Sequence, residues 1–390
     1  MEITVKTAGE SHGKGIIAMA EGFPSGLKFD EDLINEQLFR RQGGYGRGGR
    51  MEIESDEVEV LSGFYQGESL GTPIVLRVKN RDWENWEEFM SPEAETSTKR
   101  EVTLPRPGHA DLAGALKHGF RDCRRVLERT SARETAGRVA VGGLSRTLLN
   151  QFGVEIASRV TGIGEVSISD DGLEPEKWKD IADKSPVRVT DELDEENLIE
   201  EIERAKNDGD SLGGSFEVVA SGAPPGLGSY SSPGKKLDAR IGAGFMSIPA
   251  IKSVEVGLGK GVGSKKGSEV HDEIYHDDET GFYRGSNEAG GIEGGISNGE
   301  KIRVTATMKP IPTLGKPLHS VDLTDGEEGK AAKERSDVCA VPAASVVGEA
   351  EMANLIAGAF LDKFSGDTVV EVRESFERHL ERLEDWYGGD

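Results

Sequence analysis

Apolar residues return at helical spacing in several parts of the chain. From Leu112 they recur at Leu116, Phe120, Cys123 and Leu127, which predicts one helix with a single buried face. Ala136, Val139, Ala140, Gly143, Leu144 and Leu148 repeat with the same period, and so do Val369, Val372, Phe376, Leu380, Leu383 and Tyr387 on an otherwise charged segment. Ala350–Phe364 and Asp194–Asn207 also read as helices. Elsewhere the pattern changes. Short alternating or β-branched runs, such as Phe216–Ala220 and Lys301–Met308, are bounded by glycine clusters, which predicts strands joined by tight turns. Long helices mixed with many short strands, without strict βαβ alternation or a fixed-period repeat, point to an α+β fold.

Composition adjusts this picture only slightly. The 390 residues suffice for one large domain or two ordinary ones, and no linker is long enough to demand two. The expectation is therefore a single domain over 1–390. Formal net charge is −24, unevenly spread. Residues 165–210 carry 17 acids against 6 bases and suggest a peripheral insertion, whereas residues 101–150 carry 9 bases against 5 acids. Cys123 and Cys339 match neither a disulfide framework nor a CxxC site, which favours a reducing compartment. MEITVKTAGE lacks a basic flank before an apolar run, so no signal peptide is expected. No stretch of about 18 consecutive apolar residues suggests a membrane span. The expected location is cytoplasmic.

Candidate chemistry gathers in the first 150 residues and near the end. RRQGGYGRGGRM, Arg40–Met51, holds four arginines, five glycines and no acid. Alone it resembles RGG segments that bind single-stranded nucleic acid, but a chain of charge −24 repels a phosphate backbone unless its bases are focused. No nucleic-acid partner is expected. GLGKGVGSKKG fits neither GxGxxG nor the phosphate-loop pattern and reads as a turn. HExxH and zinc-type spacings are missing from the sequence, so no metal is expected. His12 in AGESHG and His109 in PRPGHADL lie on loops, the latter directly before a helix, where acid–base work is plausible beside a capping or packing role. The other five histidines look like surface groups. In ERTSARETAGR, Arg129 and Arg133 are four apart and would share a helical face; Ser131 and Glu134 make a capping box. Such a helix start suits a carboxylate or phosphate, though pairing with Glu128 and Glu134 on a solvated face is an equal alternative. MKPIPTL and ERSDVCAVPAA each offer a rigid loop with charged groups.

Taken together, AGESHG, RRQGGYGRGGRM, PRPGHADL, ERTSARETAGRVAVG, GGIEGGISNG, MKPIPTL and ERSDVCAVPAA resemble the chorismate synthase family over nearly the whole chain. The resemblance implies a β-α-β sandwich, a homotetramer, and an anti 1,4-elimination of phosphate from 5-enolpyruvylshikimate 3-phosphate that needs reduced FMN. By family position, Arg41, Arg47, Arg106 and Arg133 would clamp the substrate, a use that suits the guanidinium fork. His12 would protonate the departing phosphate. His109 would act on the reduced flavin, and Asp337 would tune the flavin nitrogen that takes the ring proton. Flavin contacts carried over are Arg129, Thr130, Ser131, Pro249, Ala250, Gly294, Lys309, Pro310, Ile311, Pro312, Thr313 and Arg335. NADPH, in members that reduce their own flavin, would use Arg41 and Arg47; other members rely on an external flavin reductase. Where many members read Ser-Ile-Asn-Ala, this chain reads Ser247-Ile248-Pro249-Ala250, which removes a side-chain amide and a backbone donor.

Overall fold

The structure, a computed structural model, describes residues 3–47, 55–95, 97–169, 171–277, 281–332 and 337–387. The elements that build the frame are β1 (Thr4–Ala8), β2 (Gly15–Glu21), α1 (Glu31–Gln42), β3 (Val58–Ser62), β4 (Ile74–Lys79), α2 (Asp111–His118), α3 (Arg124–Thr130), α4 (Thr135–Asn150), β5 (Glu155–Ile163), β6 (Val166–Ser167), α5 (Glu192–Asp208), β7 (Gly214–Ser221), α6 (Leu237–Met246), β8 (Ile251–Val256), β9 (Ile302–Met308), α7 (Val341–Lys363) and α8 (Val369–Tyr387).

Two antiparallel sheets face each other across a layer of helices. One has strand order β1-β2-β4-β3 and the other β8-β9-β7-β5-β6. Helix α4 packs on β2 and β4, α7 packs on β5 and β7, and α1, α4 and α7 pack on one another. Strand β9 alternates as a half-buried strand must, whereas β5 and β7 are buried on both faces along most of their length. In β9, Ile302, Val304, Ala306 and Met308 point inward, and in β7 Phe216, Val218 and Ala220 meet them in register. Helix α7 is apolar nearly all round because it is covered on every side. By length and composition it could cross a membrane, but 89% of its most apolar window is buried between the sheets.

A fully buried charge sits within that helix. Glu349 is buried at its centre, where its oxygens accept from Arg40 Nη1 at 2.7 Å, Arg188 Nη2 at 3.1 Å, Ser158 Oγ at 2.6 Å and Arg146. Burial alone would push its pKa up, but Arg40, Arg146 and Arg188 together hold it well below the usual carboxylate range.

Three expectations change. The helix read from Leu112 is two helices, because Gly119 adopts a left-handed φ of 70° and ends α2. Leu112 and Leu116 are 46% and 74% exposed, so the period there did not mark a core face. His379 is not a surface group. It is buried against Phe364, its Nε2 lies 3.1 Å from the Pro225 carbonyl, and burial lowers its pKa. In the acidic 165–210 region, Leu198 and Ile202 of α5 sit with zero exposure in the main apolar core.

Candidate active site

The AGESHG loop joins β1 to β2 and brings His12 against α3. The ring is buried, and its Nδ1 lies 2.8 Å from Glu128 Oε1. The backbone N–H of His12 donates to Glu128 Oε2 at 2.9 Å, and that of Ser11 donates to the Glu128 carbonyl at 2.7 Å. Trp86 stacks on the ring at 3.9 Å. A carboxylate facing Nδ1 favours the tautomer that carries the proton there. Glu128 is buried here, so the solvated-face alternative does not hold for it.

Arginines form the next layer. Arg133 Nη1 meets Asp56 Oδ1 at 2.5 Å, its Nε donates to Asn80 Oδ1 at 2.7 Å, and its Nη2 donates to the Lys79 carbonyl at 2.9 Å. Arg41, in the last turn of α1, donates to Asp56 Oδ2 at 2.7 Å and to Thr135 Oγ1 at 3.3 Å. Arg47 pairs with Asp337 at 2.8 Å. The Arg41 pKa is lowered, first by burial and then, against the pull of Asp56, by the charges of Arg133 and Arg47. Gly46, at φ 83°, lets this loop lie on the chain before α7: its carbonyl accepts from Val338 N at 2.7 Å, and a Cβ would stand 3.2 Å from Cys339 N.

Arg129 and Arg133 do not share a helical face. Helix α3 ends at Thr130, Ser131 is extended with ψ 144°, and Arg133 lies in a short 3-10 turn, Ala132–Glu134. Arg129 therefore donates to Thr7, through its carbonyl at 3.0 Å and its hydroxyl at 2.7 Å. Thr130 Oγ1 bonds back to the Val126 carbonyl. Ser131 accepts from Arg133 N at 3.3 Å, but the Glu134 side chain accepts from Thr7 and Arg138, so half of the capping box is missing. Ser131 also accepts from Ser11 Oγ at 3.0 Å.

His109 heads a second group. Asp111, wholly buried in the first turn of α2, lies 2.5 Å from His109 Nδ1 and accepts from Arg106 Nε at 2.8 Å. Burial opposes its ionisation, but hydrogen bonds and charge from His109 and Arg106 keep its pKa well below the usual range. Arg106 Nη1 donates to Thr313 Oγ1 at 3.0 Å, and Lys309 Nζ donates to the Gly108 carbonyl. A surface cleft of about 620 Å³ is lined by Gly108, Lys309, Pro310, Ile311 and Pro312, with Ser211 and Leu212 opposite. Gly108 holds a left-handed φ of 78°, which a side chain would strain, although a Cβ there would make only ordinary contact with Pro312 at 3.7 Å. Ala250 holds a left-handed φ of 69°, which strains a residue with a Cβ, and its carbonyl accepts from Lys309 N at 3.0 Å. Pro249 precedes it directly. A path of contacts links the two groups: Ser211 Oγ to the Ile311 carbonyl, Leu212 N to the Val338 carbonyl, and Val338 N to Gly46. Gly294 lies in a hairpin packed on Gly228 and Lys236. Arg335 and the end of the glycine–arginine segment lie outside the described residues.

A model of the chorismate synthase family matches residues 3–361. The chain belongs to the chorismate synthase family. Chorismate synthase of Desulforudis audaxviator (strain MP104C) is 53% identical over 378 residues, covering 97% of each chain. That of Alkaliphilus metalliredigens (strain QYMF) is 53% identical over 373 residues, covering 96% of this chain and 98% of the relative. A crystal structure of chorismate synthase superimposes with a TM-score of 0.80 at 39% identity, covering 99% of each chain, so the sandwich expected from the family motifs is the fold observed.

Sequence reasoning missed the acids and amide that hold this site together. Asp56 and Asn80 stand in no motif, and they become visible only when β3 and β4 bring them to Arg133. Asp111 lies two residues after His109, and that spacing across a helix start was its one available signal.

Proposed function

We propose that this chorismate synthase family member eliminates phosphate from 5-enolpyruvylshikimate 3-phosphate to give chorismate, a lyase step late in aromatic amino acid biosynthesis. The observation that carries the reading is the crowding of Arg41, Arg47 and Arg133. Burial first, and then repulsion by the charges of Arg133 and Arg47, lower the Arg41 pKa against the pull of Asp56, which pairs with Arg41 and Arg133, while Asp337 pairs with Arg47. An anion bearing carboxylates and phosphate relieves that repulsion, so part of its binding energy is stored in the protein beforehand.

In this reading Arg41, Arg47, Arg106 and Arg133 hold the substrate's anionic groups. His12, whose Nδ1 is engaged by Glu128, presents Nε2 to the phosphate and gives it a proton as the C–O bond breaks. Glu128 holds the ring through Nδ1, and Trp86 stacks on one face and fixes the ring plane. His109 is oriented by Asp111 in the same way, toward the cleft beside Gly108. Asp337, paired with Arg47, would tune the flavin nitrogen that takes the ring proton.

The residues present fit an FMN. The cleft is walled by Gly108, Pro310 and Pro312, and Lys309 supplies a point charge for a phosphate, beside the acidic Glu165, Glu201, Asp208 and Asp210 that also line it; Ser131, Thr313 and Ala250 join the set by family position. Arg129, Thr130, Pro249, Ile311 and Arg335 complete the proposed set; Gly294 joins it by family position. Reduced FMN, when bound, supplies the electron density that helps phosphate depart. NADPH as reductant, an external flavin reductase, a homotetramer, a single working domain and a cytoplasmic location belong to the same proposal.

The test is an anaerobic assay of phosphate release, run with photoreduced FMN and then with NADPH plus oxidised FMN. Release with photoreduced FMN is expected. Its absence there would sink the reading, and the second arm decides whether the chain reduces its own flavin.

A further inference from the structure

We propose that Asn80 is a positioning residue that couples His12 to Arg133, so that the proton donor and the guanidinium engage one substrate in a fixed mutual geometry. The inference rests on the reading of His12 and Arg133 given above. Asn80 directly follows β4 and is buried. Its Nδ2 donates to three carbonyls of the His12 loop, those of Gly13 at 2.7 Å, Glu10 at 3.1 Å and Ser11 at 3.2 Å. Its Oδ1 accepts from Arg133 Nε at 2.7 Å. One planar amide is therefore shared between the loop on one side and the guanidinium on the other.

The chemistry selects asparagine at this position. The loop side presents only acceptors, so it needs a donor, and the Arg133 side presents only donors, so it needs an acceptor. These partners also settle which end of the amide is oxygen. An aspartate would set a carboxylate oxygen against three carbonyls. A serine offers a single N–H equivalent and cannot span both sides. Glu128 already fixes the rotation of the His12 ring, but it belongs to α3 and makes no hydrogen bond to Arg133 among those described. Asn80 thus ties the loop carrying the acid to the arginine without passing through the helix. Misplacement of a catalytic group by about 1 Å can cost on the order of 100-fold in rate, which is the scale expected here.

The experiment is a double-mutant cycle in the reduced-FMN phosphate-release assay, using Asn80→Ala, His12→Ala and the double variant. Asn80→Ala is expected to lower kcat roughly 10- to 100-fold and to change kcat less than about twofold in the His12→Ala background, because a positioning residue has no proton donor left to position. Equal loss in both backgrounds, or no loss in either, overturns the proposal while leaving the elimination chemistry standing. Full turnover by His12→Ala alone overturns both. Cofactor-free protein gives a second readout, the His12 ring signal in its NMR spectrum, identified by its disappearance in His12→Ala. It should shift and broaden in Asn80→Ala, and an unchanged signal counts against the proposal. If alanine prevents folding, Asn80→Ser, which retains one donor, takes its place in the same cycle.

Discussion

Arg40 and Arg41 are neighbours in the sequence and serve opposite regions of the molecule. Arg40 turns into the helix layer, where Glu349 and Asp183 receive it, and despite burial its pKa is raised. Arg41 turns toward Asp56, beside Arg133 and Arg47, and its pKa is lowered. In the first region arginines converge on a carboxylate whose oxygens are saturated. In the second two arginines share Asp56, and Arg133 and Arg47 stand close enough to add to the burial that lowers the Arg41 pKa. Repulsion is common to both regions, since Arg146 and Arg188 beside Glu349 are lowered as well; in the proposed reading only the second region meets a ligand. Burial alone distinguishes nothing, since both regions are buried.

The largest expected effect falls on the functional side. His12→Ala should lower kcat by about 10²- to 10⁴-fold with an unchanged melting temperature, measured by single-turnover phosphate release and scanning calorimetry. A drop in melting temperature matching the lost activity would erase the distinction between the regions. On the structural side, Glu349→Ala should lose about 3–5 kcal/mol of stability by urea unfolding, because three buried guanidiniums lose their shared partner. Its folded fraction should retain the KM of the parent; a raised KM would show that the two regions are coupled through α1. Arg133→Lys should raise KM roughly tenfold, about 1.4 kcal/mol, by replacing a fork with a point charge. Its stability loss should be smaller than that of Glu349→Ala, since Asp56 keeps Arg41.

The smallest effect concerns pH. Glu349 and Asp111 both have depressed folded pKa values. Each therefore contributes stability that is complete above the unfolded value, about 4 for such groups, and that disappears as pH falls through the folded value. Stability measured by urea unfolding should decline as pH is lowered below about 4, and Glu349→Gln should flatten that decline. An unflattened acid limb would assign the loss to other carboxylates.

The sequence by itself determined the α+β class, the helices whose period continued into a real core, the inward faces of β7 and β9, and the chemical character of the site. Motifs announce histidines and arginines because those residue types are rare in such glycine- and proline-bounded loops. Tertiary structure alone decided which charges are answered. Asp56 reaches Arg41 and Arg133 from the start of β3, Glu128 reaches His12 across 116 residues, and Glu349 collects arginines from three separate segments. It also decided that α2 stops at Gly119 with Leu116 in solvent, and that His379 is buried. Local pattern carries backbone preference and the burial of one face. The sign and completeness of an electrostatic environment are sums over groups distant in sequence, and those sums exist only once the chain has folded.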